Sequence, residues 1–79
     1  MYYVQFGAFT KKENAESQKY RIENELKIDT SIKKSNGFYT VVSDCFESLS
    51  GVKSLLVLAA SRYKEFEYAV IKETKEKYD

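Results

Sequence analysis

The chain of 79 residues contains no histidine and a single cysteine, Cys45. Lacking imidazole, it has no histidine general base, and zinc chemistry loses its usual nitrogen ligand. One thiol excludes an internal disulfide and any multi-cysteine metal site, so Cys45 reads as a small, partly buried filler. Long hydrophobic runs are also missing. The longest, Leu55 to Ala60, is far too short to cross a bilayer, and no signal-peptide pattern is present. An excess of one charge is absent too: 13 basic residues face 12 acidic ones, for a net charge of +1. The halves differ little, at +2 over residues 1–40 and −1 over 41–79. This is not the electrostatic footprint of a duplex or phosphate binder.

A chain of this length makes one small domain, burying only ~60% of its unfolded surface. Its 43% apolar and 32% charged residues are ordinary for a globular domain. Aromatic residues are the compositional oddity, with seven Tyr and five Phe. Tyrosine serves both half-buried core edges and sugar- or partner-binding surfaces, so the excess alone favours neither.

Residues 2–8 read as a strand in which Tyr2, Val4 and Phe6 point to one face and Tyr3, Gln5 and Gly7 to the other. Thr10 with Glu13 three residues on is a capping-box signature, predicting a helix from about Lys11 to Lys27. Its inward stripe is Ala15, Gln18, Lys19, Ile22 and Leu26. Ile28 to Lys34 reads as a short edge strand, and Asn36-Gly37 as the turn that pairs it with a strand over Phe38–Ser43. A loop over 44–50 precedes a second helix over 52–63, facing inward with Val52, Leu55, Leu56, Ala59 and Tyr63. Residues 67–72 form the predicted last strand. The domain is expected over 1–73, with 74–79 a charged tail or linker.

The order strand, helix, strand, strand, helix, strand predicts an α+β fold. Two right-handed crossovers give a four-stranded antiparallel sheet with both helices on one face, the first and third strands central. Burying Val4, Phe6, Val41, Ala69 and Ile71 leaves Tyr3, Gln5, Gly7, Phe38, Thr40, Val42, Tyr68 and Val70 on the open face. That set is too apolar for a face meant only for water, and such patches mark binding surfaces. Gln5 discriminates among ligands, because burying an unpaired amide against an apolar partner costs ~1–3 kcal/mol. A hydroxyl- and amide-rich polysaccharide would satisfy it, with Phe38 and Tyr3 offering flat surfaces to sugar rings. Gly7 gives either clearance for a ligand, or simple close packing or a bulge. Tyr3 and Tyr68 contact ligand or shield an edge.

Tyr2-Tyr3-Val4-Gln5-Phe6-Gly7-Ala8-Phe9, followed by Glu13-Asn14-Ala15, resembles the opening of the SPOR domain, a bacterial cell-envelope module. Asn36-Gly37-Phe38-Tyr39-Thr40-Val41-Val42 is similar to its glycine-aromatic third strand, and the resemblance covers residues 2–72. It implies the same βαββαβ fold and non-catalytic binding of peptidoglycan glycan strands that have lost their stem peptides. It also implies a location in the periplasm or cell envelope at the division septum, with any targeting or anchor segment outside this chain. By position, the resemblance carries glycan contacts to Gln5, Ala8, Phe38 and Val70. Thr40 stands where some members have arginine, and Asp44-Cys45-Phe46 where many have Gly-Pro-Phe.

Two other readings stay open. A protein-interaction or dimerisation module would use the apolar sheet face or the extra leucines of the second helix, whereas the glycan reading needs only a monomer. A single-stranded RNA binder shares the topology, but the aromatic-rich basic strand motif is missing and the open face is expected to carry no Lys or Arg except Lys72. The pairs Lys11-Lys12 and Lys33-Lys34 read as solvated, the latter also guarding an edge strand. Asp44 and Glu47 are the nearest approach to a glycosidase carboxylate pair, yet they lie in a loop with no second lobe to form a cleft. No enzyme activity, metal or cofactor is expected, nor membrane insertion by this segment.

Overall fold

The computed structural model describes residues 1–75, and every side chain among them except that of Tyr68. Strand β1 spans Tyr2–Phe9, helix α1 Lys12–Leu26, β2 Thr30–Ser35, β3 Phe38–Ser43, α2 Leu49–Arg62 and β4 Val70–Glu73. A 3₁₀ turn over Lys64–Tyr68 links α2 to β4. The strands form one antiparallel sheet in the order β2-β3-β1-β4, so β1 and β3 are central as expected. Val4, Phe6 and Val41 on the sheet meet Ala15, Ile22 and Leu26 of α1 and Val52, Leu55 and Ala59 of α2 in one core. Both helices therefore cover the same face, and no described helix packs on the other.

Local chemistry explains most boundaries. Asn36 (φ 52°) and Gly37 (φ 80°) both take positive φ, as a two-residue hairpin turn of the right twist requires. They set the register of β2 on β3, with Ser35 opposite Phe38 and Lys33 opposite Thr40. Ser43 is buried and fills a break in the central ladder, where its Oγ accepts from the Val4 N–H at 2.9 Å. Beyond it, Phe46 exchanges two backbone hydrogen bonds with Tyr2, so the chain after β3 stays tied to β1. Glu23 joins α1 to β2: its carboxylate takes a hydrogen bond from Lys19 and two from Thr30, through N at 3.0 Å and Oγ1 at 3.2 Å.

Strand β2 runs over Thr30–Ser35 rather than from Ile28 to Lys34, and three further boundaries depart from the sequence reading. The capping box does not form. Lys11 occupies the N-cap in an extended conformation with no side-chain bond, which moves Glu13 one position too early to reach back. Helix α2 starts earlier, at Leu49, because Ser48 caps it by accepting from the Gly51 N–H at 3.2 Å. The last strand starts later. Residues expected to extend from Glu67 instead coil through the 3₁₀ turn, which sinks Phe66 into the core at 2% exposure. There its ring lies edge-on to Phe6 at 5.3 Å and to Tyr63 at 5.5 Å between centroids. From α1, Arg21 stacks its guanidinium 4.2 Å above the Tyr63 ring and pairs with Glu65. Of the expected tail, Thr74 exchanges backbone bonds with Met1, and residues 76–79 lie outside the described residues.

Candidate functional site

The open face holds a shallow groove of about 880 Å³ running over β1 and β3 between the two edge strands. Register places its parts. Across β1 and β4, Tyr3 stands opposite Lys72 and Gln5 opposite Val70; across β1 and β3, Gln5 stands opposite Val42. Gln5 is thus at the centre of the sheet, flanked on both sides by valine. Val42 is only 2% exposed yet stands apart from the core between the layers, because it forms the groove floor. Phe38 opens β3 at the rim with 45% of its surface exposed. Half-buried Thr40 turns its hydroxyl back on the sheet and donates to the Lys33 carbonyl at 3.1 Å.

The half-buried Gln5 carboxamide has no hydrogen-bond partner among the described residues. Among the described residues no buried side-chain nitrogen or oxygen lacks a hydrogen-bond partner, as Ser43 and Thr30 show. A carboxamide can make up to four hydrogen bonds, and here none of them is made to a described residue. The Tyr3 phenol ring lies beside it and itself engages a neighbour within the fold.

The structure corrects the placement of Gly7. Strict alternation puts Gly7 beside Gln5 on the open face, but the β1–β3 register slips between Gln5 and Gly7. The slip is a β-bulge: two steps on β1 are matched by one on β3. Gly7 stands opposite Val41 and so shares the helix-side face with the core, while Ala8 stands opposite Thr40 on the open face. The Phe6 carbonyl at the bulge accepts from Gln18 Nε2 of α1 at 3.4 Å. A Cβ on Gly7 would meet the Phe9 ring at 3.1 Å, so the glycine serves close packing of β1's own side chains. Val70, 45% exposed, does lie on the open face, but it borders a neighbouring depression with Gln5 and Glu65 rather than the main groove. The backbone of Tyr68 is in the 3₁₀ turn, not in a strand, and its side chain is outside the description.

The groove also contains residues absent from the expected site. Lys33 reaches it from β2 and Lys72 from β4, with Ser35 and Asn36 at the hairpin end. The sequence did contain the signal for Lys33. Counting back from the two-residue turn pairs it with Thr40 and fixes its face. Lys34 contributes to the rim, but its ammonium lies 5.4 Å from the Tyr39 ring centroid, a residue of the helix-side face. No carboxylate lines the groove among the described residues. The groups with displaced pKa values are elsewhere. Hydrogen bonds from Lys19 and then Thr30 hold the Glu23 carboxyl below its ordinary range. Partial burial pulls Arg21 down, but its bonds to Glu65 and Tyr63 outweigh that and raise it. Among the described residues no cluster of His, Cys, Asp or Glu is arranged to hold a metal ion, and no helix is long and apolar enough to cross a membrane.

A βαββαβ domain with a bare, grooved sheet and a solitary central amide defines the class: an α+β module with a ligand-sized surface on its uncovered face. The family model for the SPOR domain matches residues 1–72, and the chain belongs to that family. Among solved structures, it is similar to the solution structure of the peptidoglycan binding domain of the B. subtilis cell wall lytic enzyme CwlC. The two share 28% identity over 91% of this chain and 89% of that one, with a TM-score of 0.68. A search of curated protein sequences finds no match.

Proposed function

We propose that this domain is a non-catalytic, monomeric peptidoglycan-binding module that takes glycan strands freed of stem peptides across its open sheet face. The observation that carries the reading is the Gln5 amide, half-buried at the centre of the groove with no hydrogen-bond partner among the described residues. Sugar hydroxyls and N-acetyl groups supply the donors and acceptors it lacks, at about 1 kcal/mol net for each bond formed. Phe38 at the rim and Tyr3 beside Gln5 offer apolar faces to pyranose rings, and Val42 offers a flat floor. Ala8 and Thr40 keep the far end low. Membership of the SPOR family and similarity to a peptidoglycan binding domain support the same ligand. Bulky stem peptides would clash with a sheet surface this shallow, which favours denuded strands. In a parent protein, such binding directs it to the cell envelope, and to the septum where denuded strands accumulate.

The test is co-sedimentation of the purified domain with insoluble sacculi before and after amidase removal of stem peptides. Enrichment on treated sacculi is expected. Gln5→Ala should retain the wild-type melting temperature, since no internal hydrogen bond is lost, and should weaken binding by ~1–3 kcal/mol. Equal absence from both preparations, or a folded Gln5→Ala domain that binds as well as wild type, overturns the reading. A dimer in sedimentation velocity whose contact covers the sheet would replace it with a protein-interaction role.

A further inference from the structure

The groove is cationic in a chain that is almost neutral. Lys33 and Lys72 both lie on the open face by register, Lys33 opposite Thr40 and Lys72 opposite Tyr3, and no carboxylate lines the groove among the described residues. They come from opposite edge strands and from opposite ends of the central strand, since Thr40 in turn faces Ala8. Strand spacing and rise put their backbones about 20 Å apart along a diagonal that passes over Gln5. Two cations this far apart do not grip one compact anion. They suit a linear ligand that carries negative charge at intervals.

We infer that Lys33 and Lys72 read the free carboxylates of the glycan, so that the groove selects a strand carrying lactyl carboxylates over the same strand with those groups neutralised. This rests on the glycan reading above and names what within the ligand is recognised. Hydrolysis of the amide joining a stem peptide to the lactyl group of muramic acid leaves a carboxylate on the sugar strand and an amine on the peptide. Denuding therefore does more than remove bulk. It converts a strand of neutral amides into a polyanion. The two lysines are complementary to the product of that reaction and not to its substrate. A single-stranded nucleic acid is also a linear polyanion, but it needs a continuous basic groove and a row of stacking rings. Here two separated lysines accompany one well-exposed aromatic, Phe38.

The experiment measures binding of soluble amidase-released glycan strands, either native or with their carboxylates converted to methylamides, over a series of salt concentrations. The wild-type domain should bind native strands more tightly than capped ones, and salt should weaken only the native complex strongly. Lys33→Gln and Lys72→Gln should each lower affinity for native strands by ~2- to 5-fold, the range for exposed ion pairs, and leave capped strands unaffected. Being far apart, their effects should multiply in the double variant. Lys53→Gln, exposed on α2 on the covered side of the sheet, should change nothing. Equal wild-type affinity for native and capped strands overturns the carboxylate inference while leaving glycan binding intact. Binding to neither strand overturns both. Tighter capture of an oligouridylate than of native glycan overturns both in favour of nucleic acid.

Discussion

Replacing Phe66 with alanine should remove a large share of the stability of this domain. Phe66 is 2% exposed and is the largest of the fully buried side chains. Its ring fills the space between Phe6 of the sheet and Tyr63 at the end of α2, edge-on to both. Truncating such a phenylalanine costs ~3–5 kcal/mol, because transfer free energy is lost and the cavity collapses only in part. A 79-residue domain has roughly 4–12 kcal/mol in total at typical stability per residue. The Tm should fall by at least ~12 °C, given about 4–8 °C per kcal/mol at this size. Damage should centre on β4, since the 3₁₀ turn that Phe66 anchors closes through backbone bonds to Tyr63 and Ala69 immediately before that strand. Urea unfolding followed by circular dichroism gives the difference directly. Phe38→Ala is the matched control: the same truncation on the exposed groove rim should cost less than ~1 kcal/mol. A Phe66→Ala loss no larger than that of Phe38→Ala would refute the claim that the 3₁₀ turn is held by its aromatic anchor.

Ser43→Ala removes the acceptor for the buried Val4 N–H and should cost ~1–3 kcal/mol in urea unfolding, although it deletes one oxygen. Lys27 ends α1 at φ 57°, so Lys27→Gly should raise stability by up to ~1 kcal/mol, read as a higher Tm. Because the folded-state pKa of Glu23 is depressed, its bonds to Lys19 and Thr30 contribute stability above the unfolded value of about 4.3. That contribution should disappear as pH falls through the folded pKa. A Tm-against-pH series should therefore show a shallower acid limb for Glu23→Gln than for wild type.

The turn and β3 were legible to the residue because Asn36-Gly37 admits one turn geometry and that geometry fixes the register, whereas β2 starts at Thr30, two residues later than expected. The sheet order followed from the element order and chain handedness. The bulge was legible only as one of the alternatives that Gly7 left open. Alternation is the only face rule a strand sequence carries, and it does not choose among them. Ala8 reached the open face only by resemblance, since alternation places it on the other one; the register shows how both it and Gln5 come to be there. Glu67-Tyr68-Ala69-Val70 has strand-like residues throughout, but burying Phe66 just ahead of them outweighs that propensity and winds the chain into a 3₁₀ turn. The capping box failed on a single-residue offset at the exit from β1, the scale on which helix starts are set by packing. Lys33 was readable as a groove residue, had the hairpin register been followed past the edge-strand reading.

The slip at Gly7 divides β1 into two half-strands whose facing is set independently. Tyr3 and Gln5 are aimed by pairing with β4 and the end of β3, while Ala8 and Phe9 are aimed by pairing with the start of β3. Pairing the same residues one for one, without the slip, would straighten the strand and exchange the last two side chains. Phe9 would leave its packing beside the core and stand in the groove, and Ala8 would drop into the space left behind. The far end of the groove is low enough for a polymer to pass because an irregularity one residue long turns the bulky neighbour inward.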